Sequence, residues 1–242
     1  MDRMKAILLM AATLLFATSP LYSGDFGGFA PEQFPNPQVD PPVVPAGYAF
    51  SIWGLIYIYL IVHAGFGLLK RDTNPDWDAV RWPLIVSLTV GASWIPVAKI
   101  SPLWATVLIW IMLLSALGAL LRSTGRQDTW LLQTPLAIYA GWLTAASCVS
   151  IGLIGAGYGV LTDQIGWAWL ALLGALVLAG SVQFALSRAP EYGFTVCWAL
   201  IAISVRNWDL QTHLAMSALA GAVVICLLAL WARHRSLSST SV

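Results

Sequence analysis

The sequence predicts an all-α integral membrane protein of about eight transmembrane helices. Two observations carry this. The 242 residues are 59% hydrophobic and only 10% charged, with too little charge to cover a soluble surface. Apolar runs also recur at roughly 5–22, 47–69, 82–98, 102–121, 129–154, 165–187, 192–205 and 211–232. A membrane helix needs about 20 mostly apolar residues, and most of these runs approach that length. They do not alternate as barrel strands would, and backbone that must satisfy itself in lipid forms helices.

The first run follows Arg3 and Lys5 and has the charged start and apolar middle of a secretory signal peptide. Its small-x-small cleavage pattern is poor and Pro20 crowds the cut, so a retained helix is expected. The loop 23–46 follows, with six prolines and no Lys or Arg. Such density prevents a regular helix and stiffens an extended segment. It reads as a spacer or as a lid over a cavity mouth.

The second run contains Phe50, Trp53 and Tyr57. At 100° per residue they fall within about 60° of arc and share one face. The third run places Trp94 two residues before Pro96, and the fourth ends at Arg122. In the fifth, Pro135, Tyr139, Trp142, Ala146 and Ser150 recur at helical spacing, again on one face. From periodicity alone such stripes suit helix packing better than a pocket. "GLIGAGYG", 152–159, follows a membrane span rather than a strand, so it reads as a helix end and not a phosphate loop. Away from their ends, the last three runs carry few aromatics, which suits packing or homodimerisation through Gly and Ala faces. Trp82, Trp104, Trp130, Trp167, Trp208 and Trp231 lie near run ends, where tryptophan anchors at the interface.

Charge orients the chain. With eight spans, all of the 12 Lys and Arg residues except Lys99 and Arg206 fall on one side, Arg126 and Arg235 among them. Both termini are therefore expected in the cytoplasm and the loop 23–46 outside, in an inner (plasma) membrane. The net charge of +1, without a basic patch, argues against a nucleic-acid partner. Cys148, Cys197 and Cys226 lie in apolar runs and read as small fillers, not metal ligands.

Few titratable groups suggest chemistry. His63 lies about 110° from the Phe50–Trp53–Tyr57 stripe, which suits packing or an interhelical hydrogen bond better than haem ligation. Arg206, Asp209 and His213 cluster between the last two runs, as a solvated turn or an ion pair at a cavity mouth. Glu191 begins the seventh run and is a candidate intramembrane acid. No lysine lies deep in a run, which disfavours a retinal Schiff base. No paired carboxylates or metal-ligand set are present, so the case for an enzyme is weak.

The aromatic pattern resembles the tryptophan-rich sensory protein (TspO) family, also called the translocator protein or peripheral benzodiazepine receptor family. That family carries Pro, then Trp-x-Phe-x-x-Trp-x-x-Leu-Tyr, and this chain reads Pro45, then Tyr48-x-Phe50-x-x-Trp53-x-x-Ile56-Tyr57. Gly91, Trp94 and Pro96 resemble its third-helix motif, and Tyr139, Trp142, Ala146 and Ser150 its fifth. The family asparagines stand replaced by Gly91 and Ser150, and Ile138 stands where the family has proline. The resemblance covers about residues 5–155.

It implies a TspO-like five-helix membrane core over 1–158, followed by three further helices and a short tail over 159–242. It also implies an aromatic cavity beneath the 23–46 loop, lined by Phe50, Trp53, Tyr57, Trp94, Tyr139, Trp142 and Ala146. The implied ligand is a porphyrin, haem or sterol-like lipid, bound and not covalently held, for sensing or translocation. A secondary transporter of a small solute and a membrane enzyme acting on porphyrin or lipid are the rival readings.

Overall fold

The structure is a computed structural model that describes residues 2–24, 26–123 and 128–238, with the side chains of 3–24, 26–123 and 128–234. Arg126 and the side chain of Arg235, both used in the charge argument, lie outside the described part. Among the described residues there is no strand. The helices are α1 (Asp2–Ala17), α2 (Ser19–Ser23), α3 (Ile52–Lys70), α4 (Pro75–Ile100), α5 (Pro102–Arg122), α6 (Thr129–Gly157), α7 (Gln164–Ala185), α8 (Pro190–Asn207) and α9 (Thr212–Ser238). Each apolar run thus lies on a helix.

Among the described residues, six helical stretches are long and apolar enough to cross a membrane: Gly47–Lys70, Pro75–Ile100, Pro102–Arg122, Thr129–Gly157, Gln164–Ala185 and Thr212–His234. Such helices mark the chain as an integral membrane protein; six of the expected eight runs meet this measure. The first run falls short because it breaks at Thr18, leaving α1 with 16 residues, about 24 Å of helix against a core of about 30 Å. α8 has 18 residues and carries Glu191, Thr195, Ser204, Arg206 and Asn207.

Helix starts follow local chemistry. The Asn74 side chain accepts hydrogen bonds from the amides of Asp76 and Trp77, with Pro75 in the first turn of α4. Ser101 and Asp163 cap α5 and α7 in the same way. The prediction of one continuous helix through Phe50 fails at its start. Residues Gly47–Ser51 form a 3₁₀ turn, and the α-helix begins at Ile52.

The chain forms two compact units, residues 1–29 with 52–140, and residues 30–51 with 141–242. The boundary falls inside α6. In the first unit α4 packs on α1 and α5, and α1 on α3. Its inner polar edge is tied by buried Arg81, which donates to the carbonyls of Asp72 (2.8 Å) and Arg71 (2.7 Å) and pairs with Asp78. Lys5 reaches the same carboxylate at 2.6 Å.

In the second unit α8 packs on α9, and α7 on both. A Cβ at Gly141 would stand 2.6 Å from the Tyr192 carbonyl oxygen, so α6 crosses α8 where only glycine fits. The buried Gln183 amide accepts from the Gly193 amide (2.9 Å) and donates to the Leu186 carbonyl (3.0 Å), closing the turn between α7 and α8.

Candidate functional site

In the first unit, Trp53 and Tyr57 sit one turn apart on α3. Their rings stack at 5.5 Å with planes 21° apart. Phe16, on the last turn of α1, makes T-shaped contacts with Trp53 at 5.9 Å and with Tyr57 at 5.3 Å. Tyr139 of α6 meets the same ring at 5.8 Å. Three aromatic rings therefore surround a fourth. Each such pair contributes about 0.5–1.5 kcal/mol beyond the area it buries. The floor of this slot is Gly91, where an added Cβ would come within 2.7 Å of the Phe16 ring. The Tyr139 hydroxyl bonds the Ser87 hydroxyl at 3.0 Å, and Ser87 donates to the Met112 carbonyl at 2.8 Å. That chain satisfies the one polar atom Tyr139 carries into the interior.

Trp94 does not join this group. Its indole N–H donates to the Ala105 carbonyl at 2.9 Å, and its ring packs against Phe26 at 4.9 Å and Phe29 at 6.4 Å. The start of the proline-rich loop thus covers Trp94.

In the second unit, Phe50 meets Trp142 edge to face at 5.7 Å. Trp142 is buried at 2% exposure, Phe50 is 37% exposed, and Ala146 one turn beyond Trp142 is half-buried. Tyr48 packs against Trp198, whose indole N–H donates to the Ala49 carbonyl at 3.0 Å.

The rest of the loop is fastened within this unit. The Asn36 amide donates to the Gly157 carbonyl (2.8 Å), and the Ala46 amide to that of Ala202 (3.1 Å). Asn207 donates to the Pro42 carbonyl at 2.8 Å, and Arg206 pairs with Asp40 at 2.7 Å. Beneath Pro42 and Val43 lies a cavity of about 20 Å³, walled by small apolar side chains that include Ala145, Cys148, Ala168 and Ala171. The loop thus covers a small cavity. Its walls are aliphatic, however, and its volume exceeds only slightly the roughly 10–15 Å³ that one water needs. No porphyrin or sterol fits there.

The predicted lining residues fall into three sets: Trp53, Tyr57 and Tyr139 around Phe16; Trp94 under Phe26 and Phe29; and Phe50 with Trp142 near Ala146. Phe16 escaped the sequence reading. Its only trace there was Gly91 standing in place of a family asparagine, which left room for a ring.

His63 packs and hydrogen-bonds as expected. Its Nδ1 lies 2.7 Å from the Leu131 carbonyl, which Pro135 cannot serve because proline has no N–H. His63 is fully buried and stacks on Trp77 at 4.9 Å. Arg206 takes Asp40 as its partner, and Glu191 lies in the first turn of α8 and not deep in a span. Just before α6, Arg71 grips Asp128 at 2.6 Å through Nε and at 3.2 Å through Nη2. These hydrogen bonds hold the Asp128 carboxyl below the usual carboxylate range. Among the described residues no group of His, Cys, Asp and Glu is placed to hold a metal ion.

A family model described as TSPO-like protein matches residues 6–231. The chain belongs to the TSPO-like family. The match runs well past the 5–155 that carried the resemblance and takes in α7, α8 and most of α9. Neither the curated proteins nor the solved structures contain a match. Membership in the TSPO-like family agrees with membrane-embedded ligand binding or sensing as the general role of the chain.

Proposed function

We propose that this TSPO-like chain binds a flat hydrophobic ligand, a porphyrin, haem or sterol-like lipid, within the membrane. Its ligand-binding residues are Phe50, Trp53, Tyr57, Trp94, Tyr139, Trp142 and Ala146, and the binding serves sensing or translocation. The observation that carries this reading is the ring slot of the first unit. Trp53, Tyr57 and Tyr139 are arranged about a six-membered ring, so their faces suit a flat guest. Aromatic faces and apolar burial supply the binding energy without any charged group.

The test is a titration of protoporphyrin into the purified chain, read by quenching of tryptophan fluorescence. Removing one ring that meets the ligand weakens binding several-fold to tenfold, from about 1 kcal/mol or more. Trp142→Ala and Ala146→Phe are expected to weaken binding, and Trp53→Phe to do so least. Trp231→Phe, 43% exposed at its site, is the control. Wild-type affinity in Trp53→Phe, Trp142→Ala and Ala146→Phe alike would reduce the aromatic stripes to packing.

The same reading has α1 and α8 completing eight spans, with both termini cytoplasmic in an inner membrane. The distribution of Lys and Arg supports that orientation. An impermeant thiol reagent on intact cells should label a cysteine introduced at Gln33 and not one at His234. The opposite pattern would reverse the orientation.

A further inference from the structure

We propose that Phe16 is a built-in occupant of the ligand slot, which an aromatic ligand displaces by inserting one of its own rings. This rests on the reading above and adds to it a gating residue and a ligand class.

Phe16 is only 3% exposed, and its ring is met by three others. Two of the contacts are edge-to-face, the geometry that favours an aromatic guest over a saturated one. Gly91 makes the occupancy possible. A Cβ there would lie 2.7 Å from Phe16 and 3.0 Å from Met112, too close for the ring to remain in place. The space that Phe16 occupies is therefore one ring wide. It suits an aryl or pyrrole ring at the edge of a larger planar molecule, and it suits a saturated sterol less well.

The backbone is weakened where displacement requires it. In a continuous helix the Phe16 carbonyl would accept from the amide of residue 20. That residue is Pro20, which has no N–H, and the helix breaks at Thr18. Beyond the break, α2 is tethered to α4. Tyr22 donates to the Ala92 carbonyl at 2.8 Å, and Lys99 to that of Ser23 at 2.6 Å. The helical ladder is thus interrupted one turn after Phe16, beside the ring that would have to move.

Two measurements on the full chain test this. In the first, Phe16→Ala is titrated with benzene and with cyclohexane while its thermal transition is followed. Benzene should raise the transition of the variant more than cyclohexane does, and should leave the wild type unmoved. Equal effects of the two solutes, or none, would overturn the slot as an aromatic site. In the second, protoporphyrin affinity is compared between wild type, Phe16→Leu and Gly91→Ala. Phe16→Leu removes the ring, whereas Gly91→Ala narrows the slot for any ring, the ligand's included. Phe16→Leu should bind about tenfold tighter than wild type and Gly91→Ala should bind more weakly. Unchanged or weaker binding by Phe16→Leu, or tighter binding by Gly91→Ala, with Trp142→Ala still weaker than wild type, would overturn the displacement and leave the binding reading intact. Absence of protoporphyrin binding in every variant, with the benzene effect present, would overturn the proposed ligand and leave a ring slot occupied by Phe16. If Phe16→Ala does not fold, Phe16→Leu takes its place in the benzene titration.

Discussion

In the first unit, Trp53, Tyr57 and Tyr139 close around a ring that the chain itself supplies. In the second, Ala145, Ala168 and Ala171 stop short of one another beneath Pro42 and Val43 and leave a cavity. Both regions are apolar, yet they respond to change in opposite ways. Large rings about a glycine make a site whose interior is already packed, so the chain needs no guest to stabilise it. Small side chains about a fixed loop make a gap whose walls lack contacts on one side. The first region loses stability when a side chain shrinks, and the second gains it when one grows.

The largest effect should come from Phe16→Ala. Emptying the slot costs about 3–5 kcal/mol, the usual range for a buried phenylalanine, and lowers the thermal transition accordingly. A fall of less than about 1 kcal/mol would mean that the surrounding rings collapse inward and the slot is soft. Tyr139→Phe keeps the ring and removes the hydroxyl bonded to Ser87. It should cost about 1 kcal/mol and leave the benzene response of the Phe16→Ala background unchanged. In the second unit, Ala171→Val adds methyl groups beside the cavity and should raise the thermal transition, by up to about 1 kcal/mol of added burial. A loss there as large as that of Phe16→Ala would erase the contrast between the regions.

The smallest effect concerns Asp128 and Arg71, at the edge of the first unit. The folded carboxyl titrates below its unfolded value, so the pair contributes fully above about pH 4 and its contribution is lost as pH falls through the lowered value. Wild type should therefore lose stability on acidification, and Asp128→Asn should lose less over the same range. Equal acid slopes for the two proteins would show that the pair contributes nothing measurable.

Much of the fold was legible because lipid imposes a simple code. Each apolar run became a helix, and Asn74, Ser101 and Asp163 mark starts that local chemistry alone explains. The tightness of a turn was not legible in this way. Nothing in the spacing of Phe50, Trp53 and Tyr57 distinguishes 3.6 residues per turn from 3, so the 3₁₀ start of the second run stayed hidden. Pro20 and Thr18 divided the first run for a local reason, but an apolar stretch of 18 residues hides the interruption. The site was half legible. Periodicity paired Trp53 with Tyr57, and the structure stacks them. Phe16 lies 37 residues before Trp53 and 75 before Gly91 in the chain, and only the packing of α1 against α3 and α4 joins them.

The proline-rich loop carries a consequence for how the chain tolerates change. Surface loops ordinarily accept extra residues and exchange their amide hydrogens quickly. Between Phe34 and Ala46 this one is sewn down by the Asn36 and Ala46 amides, by Asn207 and by the Arg206–Asp40 pair, with the Phe34 ring seated against Gly157. It behaves as a strap of fixed length. Insertions there should unseat the ends of α6 and α8, whereas insertions at Gly27 or Gly28 should disturb only the contacts of Phe26 and Phe29 with Trp94. Deuterium exchange should follow the same division, slow at Asn36 and Ala46 and fast at Gly27 and Gly28.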